Sequence, residues 1–128
     1  MAVPFVIASD LCRDARVYVY GSGAGGQALV RYLIGSGLGV AGYIDSFREG
    51  SVDGLPMHRL DQYLALRRPG DAVLIGSSFV GEIERRLVAS GITDALDGSL
   101  LATALLEQSR MAARVVDGRI RLTVPEAG

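Results

Sequence analysis

Short apolar runs typical of β-strands alternate along this chain with longer segments whose apolar residues recur at helical spacing. Residues 16–20, 40–44 and 72–75 are predicted as buried strands because they are rich in β-branched, aromatic and aliphatic side chains. Residues 27–34 and 80–89 are predicted as helices, since each places apolar side chains three or four positions apart. Strands and helices that alternate in this way predict a mostly parallel sheet with helices on both faces.

Weaker patterns complete the predicted elements. Residues 46–55 are polar and contain glycine, which predicts a loop. Residues 56–58 predict a short edge strand, where proline is tolerated, and Asp61 is expected to cap a helix that ends at Leu66. Residues 92–96 predict a last strand. We expect about five strands in the order 3-2-1-4-5, which makes the fold class α/β with three layers.

A glycine-rich segment joins the first predicted strand to the first predicted helix. It fits the pattern G-x-G-x-x-G, which alone is weak evidence for a phosphate site because a chain with 17 glycines can match it by chance. Its position between a predicted strand and a predicted helix makes the match more specific. Gly21 is expected to make the tight turn, Gly23 to let a pyrophosphate approach, and Gly26 to let the helix lie close to the strand. The amides and the dipole at the helix start favour an anion. This order predicts a Rossmann-like fold, with a phosphate site at Gly21, Ser22, Gly23, Ala24, Gly25 and Gly26.

The end of the second predicted strand supplies the next candidate residues, Asp45, Ser46 and Arg48. An acid about twenty residues past the glycine loop accepts hydrogen bonds from a ribose diol, which favours NAD over its phosphorylated form. The closeness of Arg48 complicates that preference. The simpler interpretation is that the loop is only a glycine-rich turn and Asp45 a solvated strand end.

Small residues also end the third clear strand, at Gly76, Ser77 and Ser78. This strand is expected beside the first, and open α/β sheets bind ligands at the carboxyl ends of such strands. Ser77 and Ser78 are therefore candidates for contact with a ribose or a phosphate. Ser78 is equally well interpreted as the N-cap of the following helix.

The composition sets limits on the function. A length of 128 residues predicts a single domain, and a net charge of −1 provides no basic field for nucleic acid. One cysteine, Cys12, excludes an internal disulfide, and with one histidine, His58, no zinc pattern can be assembled. No apolar stretch approaches the length of a membrane span, and no secretory leader is recognised. These features predict a cytoplasmic protein with no nucleic-acid partner.

All thirteen basic residues are arginine, and the absence of lysine argues against several kinds of catalysis. A short-chain dehydrogenase pairs a tyrosine with a lysine four residues later, whereas Tyr63 is followed by Arg67, and arginine does not readily give up a proton. A P-loop requires a lysine as well. A nucleophile elbow fails because Val80 stands where its last glycine belongs. We assign no catalytic residue, and the isolated chain is predicted to bind rather than to catalyse.

Two segments flank the unit predicted to bind a nucleotide, which spans residues 16–98. Residues 1–15 are expected to form an arm or a short helix. Residues 99–128 predict a helix followed by a hairpin or tail, and residues 99–116 carry one wide apolar stripe. That stripe either packs on the sheet of its own chain or pairs with the same stripe of a second copy. A homo-oligomer formed through residues 99–116 is the expected assembly.

At the level of motifs the chain resembles the N-terminal nucleotide-binding domain of bacterial polysaccharide-biosynthesis proteins. The segments that carry this resemblance are VYVYGSGAGGQALVRYL, VAGYIDS, GLPMHRLDQYL, DAVLIGSS and EIERRLVASGI, within roughly residues 16–96. The family includes sugar-nucleotide dehydratases and sugar acyltransferases whose first domain binds a UDP-sugar. The same skeleton is similar to NADH-sensing domains of redox repressors and to CoA-binding domains. The resemblance implies NAD(H) or a sugar nucleotide as the ligand, with CoA as a further candidate.

Three hypotheses for the function remain open. The first is a binding module for NAD(H) or a sugar nucleotide, linked to polysaccharide or nucleotide-sugar metabolism. The second is a small NAD-dependent sugar-nucleotide oxidoreductase or dehydratase that is active as an oligomer. The third is a structural or redox-sensing regulatory domain without catalytic activity.

Overall fold

A computed structural model of the protein describes residues 3–4 and 15–116. In that part of the chain, strands and helices alternate around one sheet. The strands are β1 (Val3–Pro4), β2 (Val17–Tyr20), β3 (Val40–Asp45), β4 (Gly50–Val52), β5 (Leu55–Arg59), β6 (Ala72–Ile75) and β7 (Leu96–Asp97). The helices are α1 (Ala24–Gly35), α2 (Leu60–Leu66), α3 (Val80–Ala89) and α4 (Ser99–Val116).

The sheet is mostly parallel, and the fold is α/β and broadly Rossmann-like. The strands from β2 onward lie in the order β4-β5-β3-β2-β6-β7, and β1 extends the sheet beyond β7. Every described pair is parallel except β4 with β5. The sheet therefore differs from the predicted five-strand order by one additional short strand at each edge.

The antiparallel strand β4 corrects the prediction that residues 46–55 form a loop. β4 and β5 form a hairpin closed by Asp53 and Gly54, whose φ angles are +50° and +83°. A two-residue turn in which both φ angles are positive has a backbone twist that matches the right-handed twist of the flanking strands. Asp-Gly is a preferred pair for such a turn. The hairpin signal was thus present in the sequence, inside a segment that looked merely polar.

Three other predicted boundaries are also wrong. The last strand is Leu96–Asp97 rather than residues 92–96, although Ile92 is buried. Helix α1 begins at Ala24, three residues before the predicted start. Asp61 does not cap α2: the N-cap is Arg59, whose backbone N–H donates to the Gln62 side chain, and Asp61 lies in the first helical turn.

The core lies on both faces of the sheet, because side chains along β2 alternate between them. Val17 and Val19 belong to the cluster covered by α1, and Tyr18 and Tyr20 to the cluster on the opposite face. All four side chains are buried, as expected for a central parallel strand. The prediction that residues 16–20 contain a buried strand is therefore confirmed for Val17–Tyr20.

Helix α4 packs against α1 of its own chain within the described residues. Ala102 is buried, and Leu101 and Leu105 pack against the cluster beneath α1. Leu100, by contrast, is 76% exposed. The predicted N-terminal arm lies outside the described residues except for β1 and Ala15, and the predicted C-terminal hairpin or tail lies outside them entirely.

An ion pair between the half-buried Arg16 and the buried Asp71 connects the amino-terminal ends of β2 and β6. Both carboxylate oxygens of Asp71 accept hydrogen bonds from the Arg16 guanidinium, at 2.9 and 2.7 Å. The Tyr63 hydroxyl and the backbone N–H of Arg68 donate to the same carboxylate. Burial alone would raise the pKa of Asp71, but these hydrogen bonds outweigh burial and hold the pKa below its usual value. The pair therefore stabilises the end of the sheet opposite the candidate site.

Candidate functional site

A cleft of about 500 Å³ lies at the carboxyl ends of β2, β3 and β6. The segments that follow these strands form its floor, and residues of α3 and α4 form its walls. It is lined by residues 20–25, 45–48 and 76–79, by Glu82, Ile83 and Arg86 of α3, and by Ser99, Ala102, Thr103 and Leu106 of α4. Every residue that the sequence predicted for the site lines this cleft except Gly26.

Gly21 and Gly26 have the geometry expected of them. Gly21 has a φ of +118°, a conformation that side chains rarely adopt, and its N–H donates to Ile44 O at 2.8 Å. A Cβ on Gly26 would lie only 1.8 Å from the carbonyl oxygen of Gly21. Gly26 therefore keeps the helix close to the loop rather than facing the cleft.

Gly25 and Gly23 differ from each other in the space around them. A Cβ on Gly25 would lie 2.9 Å from the carbonyl oxygen of Gly76, so the end of β6 approaches the helix closely here. A Cβ on Gly23 would meet nothing within 4 Å, and its φ of −81° and ψ of −165° suit any residue. Gly23 thus opens directly onto the cleft.

The N-terminus of α1 has no side-chain acceptor for its first amides. Gly23 is the N-cap and offers no side chain, and the first turn contains no acidic residue. Because helix N–H groups point toward the N-terminus, these amides open onto the cleft that Gly23, Ala24 and Gly25 line. The dipole of a twelve-residue helix adds partial positive charge at the same point. This end of the cleft is therefore suited to an anion.

Asp45 is buried at the end of β3 and is not a solvated strand end, because only 9% of it is exposed. One carboxylate oxygen accepts from the backbone N–H groups of Phe47 and Arg48, at 2.9 and 3.0 Å. The other accepts from the Ser22 hydroxyl at 2.8 Å and lies 3.8 Å from Arg48 Nε. Since a carboxylate has about four acceptor positions, these bonds leave about one for a ligand.

The same contacts set the protonation state of Asp45. Burial alone would raise the pKa of Asp45, but the hydrogen bonds from Phe47, Ser22 and Arg48 outweigh it and lower the pKa. Asp45 is consequently a carboxylate at neutral pH. It connects the glycine loop, through Ser22, to the segment that follows β3.

The remaining hydroxyl groups have distinct partners. Tyr20 Oη and Ser46 Oγ lie 2.7 Å apart, which joins the ends of β2 and β3. Ser77 Oγ accepts from the backbone N–H of Phe79 at 3.1 Å. The interpretation of Ser78 as a helix cap is wrong, because Phe79 is the N-cap of α3 and no side chain caps this helix. Ser78 lines the cleft instead, in the segment that follows β6.

Two phenylalanines and the residues of α3 and α4 that line the cleft were not predicted from the sequence. Phe47 and Phe79 each directly follow predicted site residues in the sequence, and their side chains are 80% and 69% exposed. The Arg86 guanidinium lies over the Phe47 ring, 5.7 Å from its centroid, and also 3.5 Å from Glu82. Residues 79, 82, 83 and 86 have the spacing of one helix face, and this spacing was the sequence pattern from which the α3 side of the cleft could have been predicted. The contribution of α4 depends on topology and had no local signal.

Other candidate residues lie away from the cleft. His58 is on β5 and does not line it, and Cys12 is outside the described residues. Among residues 3–4 and 15–116, no group of three or more His, Cys, Asp or Glu could hold a metal ion. No helix in the same part of the chain has the length and apolar character to cross a membrane.

Comparison with protein-family models, curated proteins and solved structures finds no match to this chain. The resemblance to nucleotide-binding domains of polysaccharide-biosynthesis proteins therefore stays a prediction.

Proposed function

We propose that this chain is a nucleotide-binding module whose cleft holds the ligand's phosphates at the N-terminus of α1. The observation that carries the proposal is a helix start without a side-chain acceptor, open to a cleft that Gly23, Ala24 and Gly25 line. NAD(H) and a sugar nucleotide are the leading ligands, and CoA is a further candidate. All three carry a pyrophosphate, which is the chemistry that such a helix end favours.

The dimensions of the cleft support a ligand larger than a free phosphate. A volume of about 500 Å³ lies within the range of small-molecule sites, roughly 300–1,000 Å³. The close approach of Gly25 to the Gly76 carbonyl leaves no room for a side chain between the floor and the helix. Gly23 and Gly25 therefore present backbone, rather than side chains, to the ligand.

The charged side chains of the cleft favour binding over catalysis. Asp45 is engaged by Ser22 and by two backbone amides, and Glu82 lies beside Arg86. The hydrogen bonds to Asp45 hold its pKa below the usual value, whereas a general acid at neutral pH requires a raised pKa. We therefore assign these side chains to positioning and ligand contact.

Calorimetry on two variants that differ by one charge tests the proposal. In Gly23→Asp, a carboxylate at the N-cap position accepts from the first amides and repels phosphate, whereas Gly23→Asn provides a similar cap without the charge. Both variants should fold at least as stably as the wild type, because the position is open and extended. ADP, NADH, UDP-glucose and CoA are the ligands to titrate.

At least one of these ligands should bind the wild-type protein, and Gly23→Asp should weaken that binding at least about tenfold more than Gly23→Asn. The proposal fails if none of the four ligands binds at millimolar concentration. It also fails if the two variants bind the ligand equally well.

A further inference from the structure

We infer that the Phe47–Arg86 end of the cleft is a stacking site for the ligand's nucleobase, an inference that rests on the proposed phosphate site at α1. Phe47 and Arg86 would then be the residues that distinguish a nucleotide from a sugar phosphate. Phe47 is an unusual surface residue, because it is 80% exposed and the Arg86 guanidinium lies over its ring.

The order of groups along the cleft matches the order of groups in a nucleotide. The uncapped amides lie at Gly23–Gly25, next to Ser22, whose hydroxyl donates to Asp45 at the end of β3. The backbone N–H of Phe47 donates to the same carboxylate, which places Phe47 on the far side of Asp45 from the glycine loop. With phosphate at the amides and ribose near the open acceptor position of Asp45, the base reaches Phe47. The pyrophosphate, the ribose and the base thus meet an anion site, a hydrogen-bonding site and a flat apolar site in turn.

The backbone of Phe47 is held in place, and its ring contacts Arg86, in the absence of a ligand. Its backbone N–H donates to Asp45 at 2.9 Å, and the guanidinium of Arg86, itself 3.5 Å from Glu82, lies over its ring. A phenyl ring and a guanidinium are both flat, and both stack on the π-face of a base. A preorganised surface of this kind costs little conformational entropy on binding.

Phe79 provides the matched comparison. It lines the same cleft and is 69% exposed. It follows β6, however, on the other side of β2 from Asp45, and among the described residues no cation lies over its ring. The order of groups in the cleft therefore places the base at Phe47 and not at Phe79. Removal of either ring should leave the fold intact, since both rings are mostly in solvent.

Calorimetry with AMP, UMP and ribose 5-phosphate tests the inference, because the base is the group by which the nucleotides differ from the sugar phosphate. In the wild type, AMP and UMP should bind at least about tenfold more tightly than ribose 5-phosphate, a gain typical of base–aromatic stacking. Phe47→Ala should remove most of that gain, and Phe79→Ala should keep it. Arg86→Lys, which retains the charge but not the flat surface, should remove part of the gain.

The outcomes separate this inference from the proposed function. If ribose 5-phosphate binds and neither nucleotide binds more tightly, the stacking site is wrong and the phosphate site stands. If Phe79→Ala loses as much affinity for AMP as Phe47→Ala, the base lies elsewhere and the inference is overturned. If neither AMP nor UMP binds, the inference fails, whereas the proposed function is judged separately by the binding of ADP, NADH, UDP-glucose and CoA.

Discussion

The close contact between helix α1 and the glycine loop makes Gly26→Ala the sharpest structural perturbation. The added Cβ would lie 1.8 Å from the Gly21 carbonyl oxygen and 2.8 Å from its carbonyl carbon. Both are backbone atoms, so no side chain can rotate away to relieve the contact. Either the loop moves away from the helix or the first turn of α1 unwinds.

The size of the effect follows from the distance. Ordinary contact begins at about 3.4 Å, so the loop must retreat by about 1.6 Å, the difference between 3.4 and 1.8 Å. Overpacking of a well-packed site costs about 1–3 kcal/mol and occasionally more, whereas alanine in place of a helical glycine gains up to about 1 kcal/mol. We expect a net loss of about 2 kcal/mol, or a decrease in Tm of roughly 10 °C.

Gly35→Ala is the matched control, because it makes the same substitution at the other end of the same helix. A Cβ at Gly35 meets nothing within 4 Å, so this variant should be as stable as the wild type or slightly more stable. Urea denaturation followed by circular dichroism gives both free energies of unfolding. The reasoning is refuted if Gly26→Ala is as stable as Gly35→Ala.

Three further changes test other parts of the structure. Asp71→Ala should lower the free energy of unfolding by about 3 kcal/mol in urea denaturation, because Arg16 and Tyr63 lose their common acceptor; a loss below about 1 kcal/mol would contradict this. The pKa of Asp71 is lower in the folded than in the unfolded chain, so its charge stabilises the fold above about pH 4, and this contribution is lost as the pH falls through the folded pKa. Wild-type stability should therefore decrease below about pH 4, and less steeply in Asp71→Asn; equal slopes would argue against the pair. Leu105→Arg should lower the Tm, whereas Leu100→Arg, at an exposed position, should not; equal Tm values would show that α4 does not pack on its own chain.

The glycine loop could be predicted from the sequence because its determinants are local. A buried strand, a glycine with positive φ and a helix start follow one another within a few residues, and each leaves a compositional signal. The roles expected of Gly21 and Gly26 match the observed φ and the observed contact. Even so, the helix start was misplaced, because glycines at positions 25 and 26 look like loop rather than helix.

Elements held by tertiary contacts were harder to predict. β7 is only two residues long and pairs with β6 and β1, so its position depends on its neighbours rather than on its own residues. The contact between Phe47 and Arg86 joins the end of a strand to a distant helix, and no local pattern predicts it. The hydrogen bond from Ser22 to Asp45 was missed for the same reason, since Ser22 meets Asp45 only after β2 and β3 have paired.

The most direct test of the central claim is an amide chemical-shift titration of the protein with ADP, recorded by heteronuclear NMR. If the phosphates lie at the N-terminus of α1, the amides of Gly23, Ala24 and Gly25 should shift most and should saturate together. The amide chemical shift of Gly70, in the turn before β6 at the opposite end of the sheet, should not change. If the chemical shifts of the glycine-loop amides do not change while those of other amides do, phosphate binding at the N-terminus of α1 is contradicted.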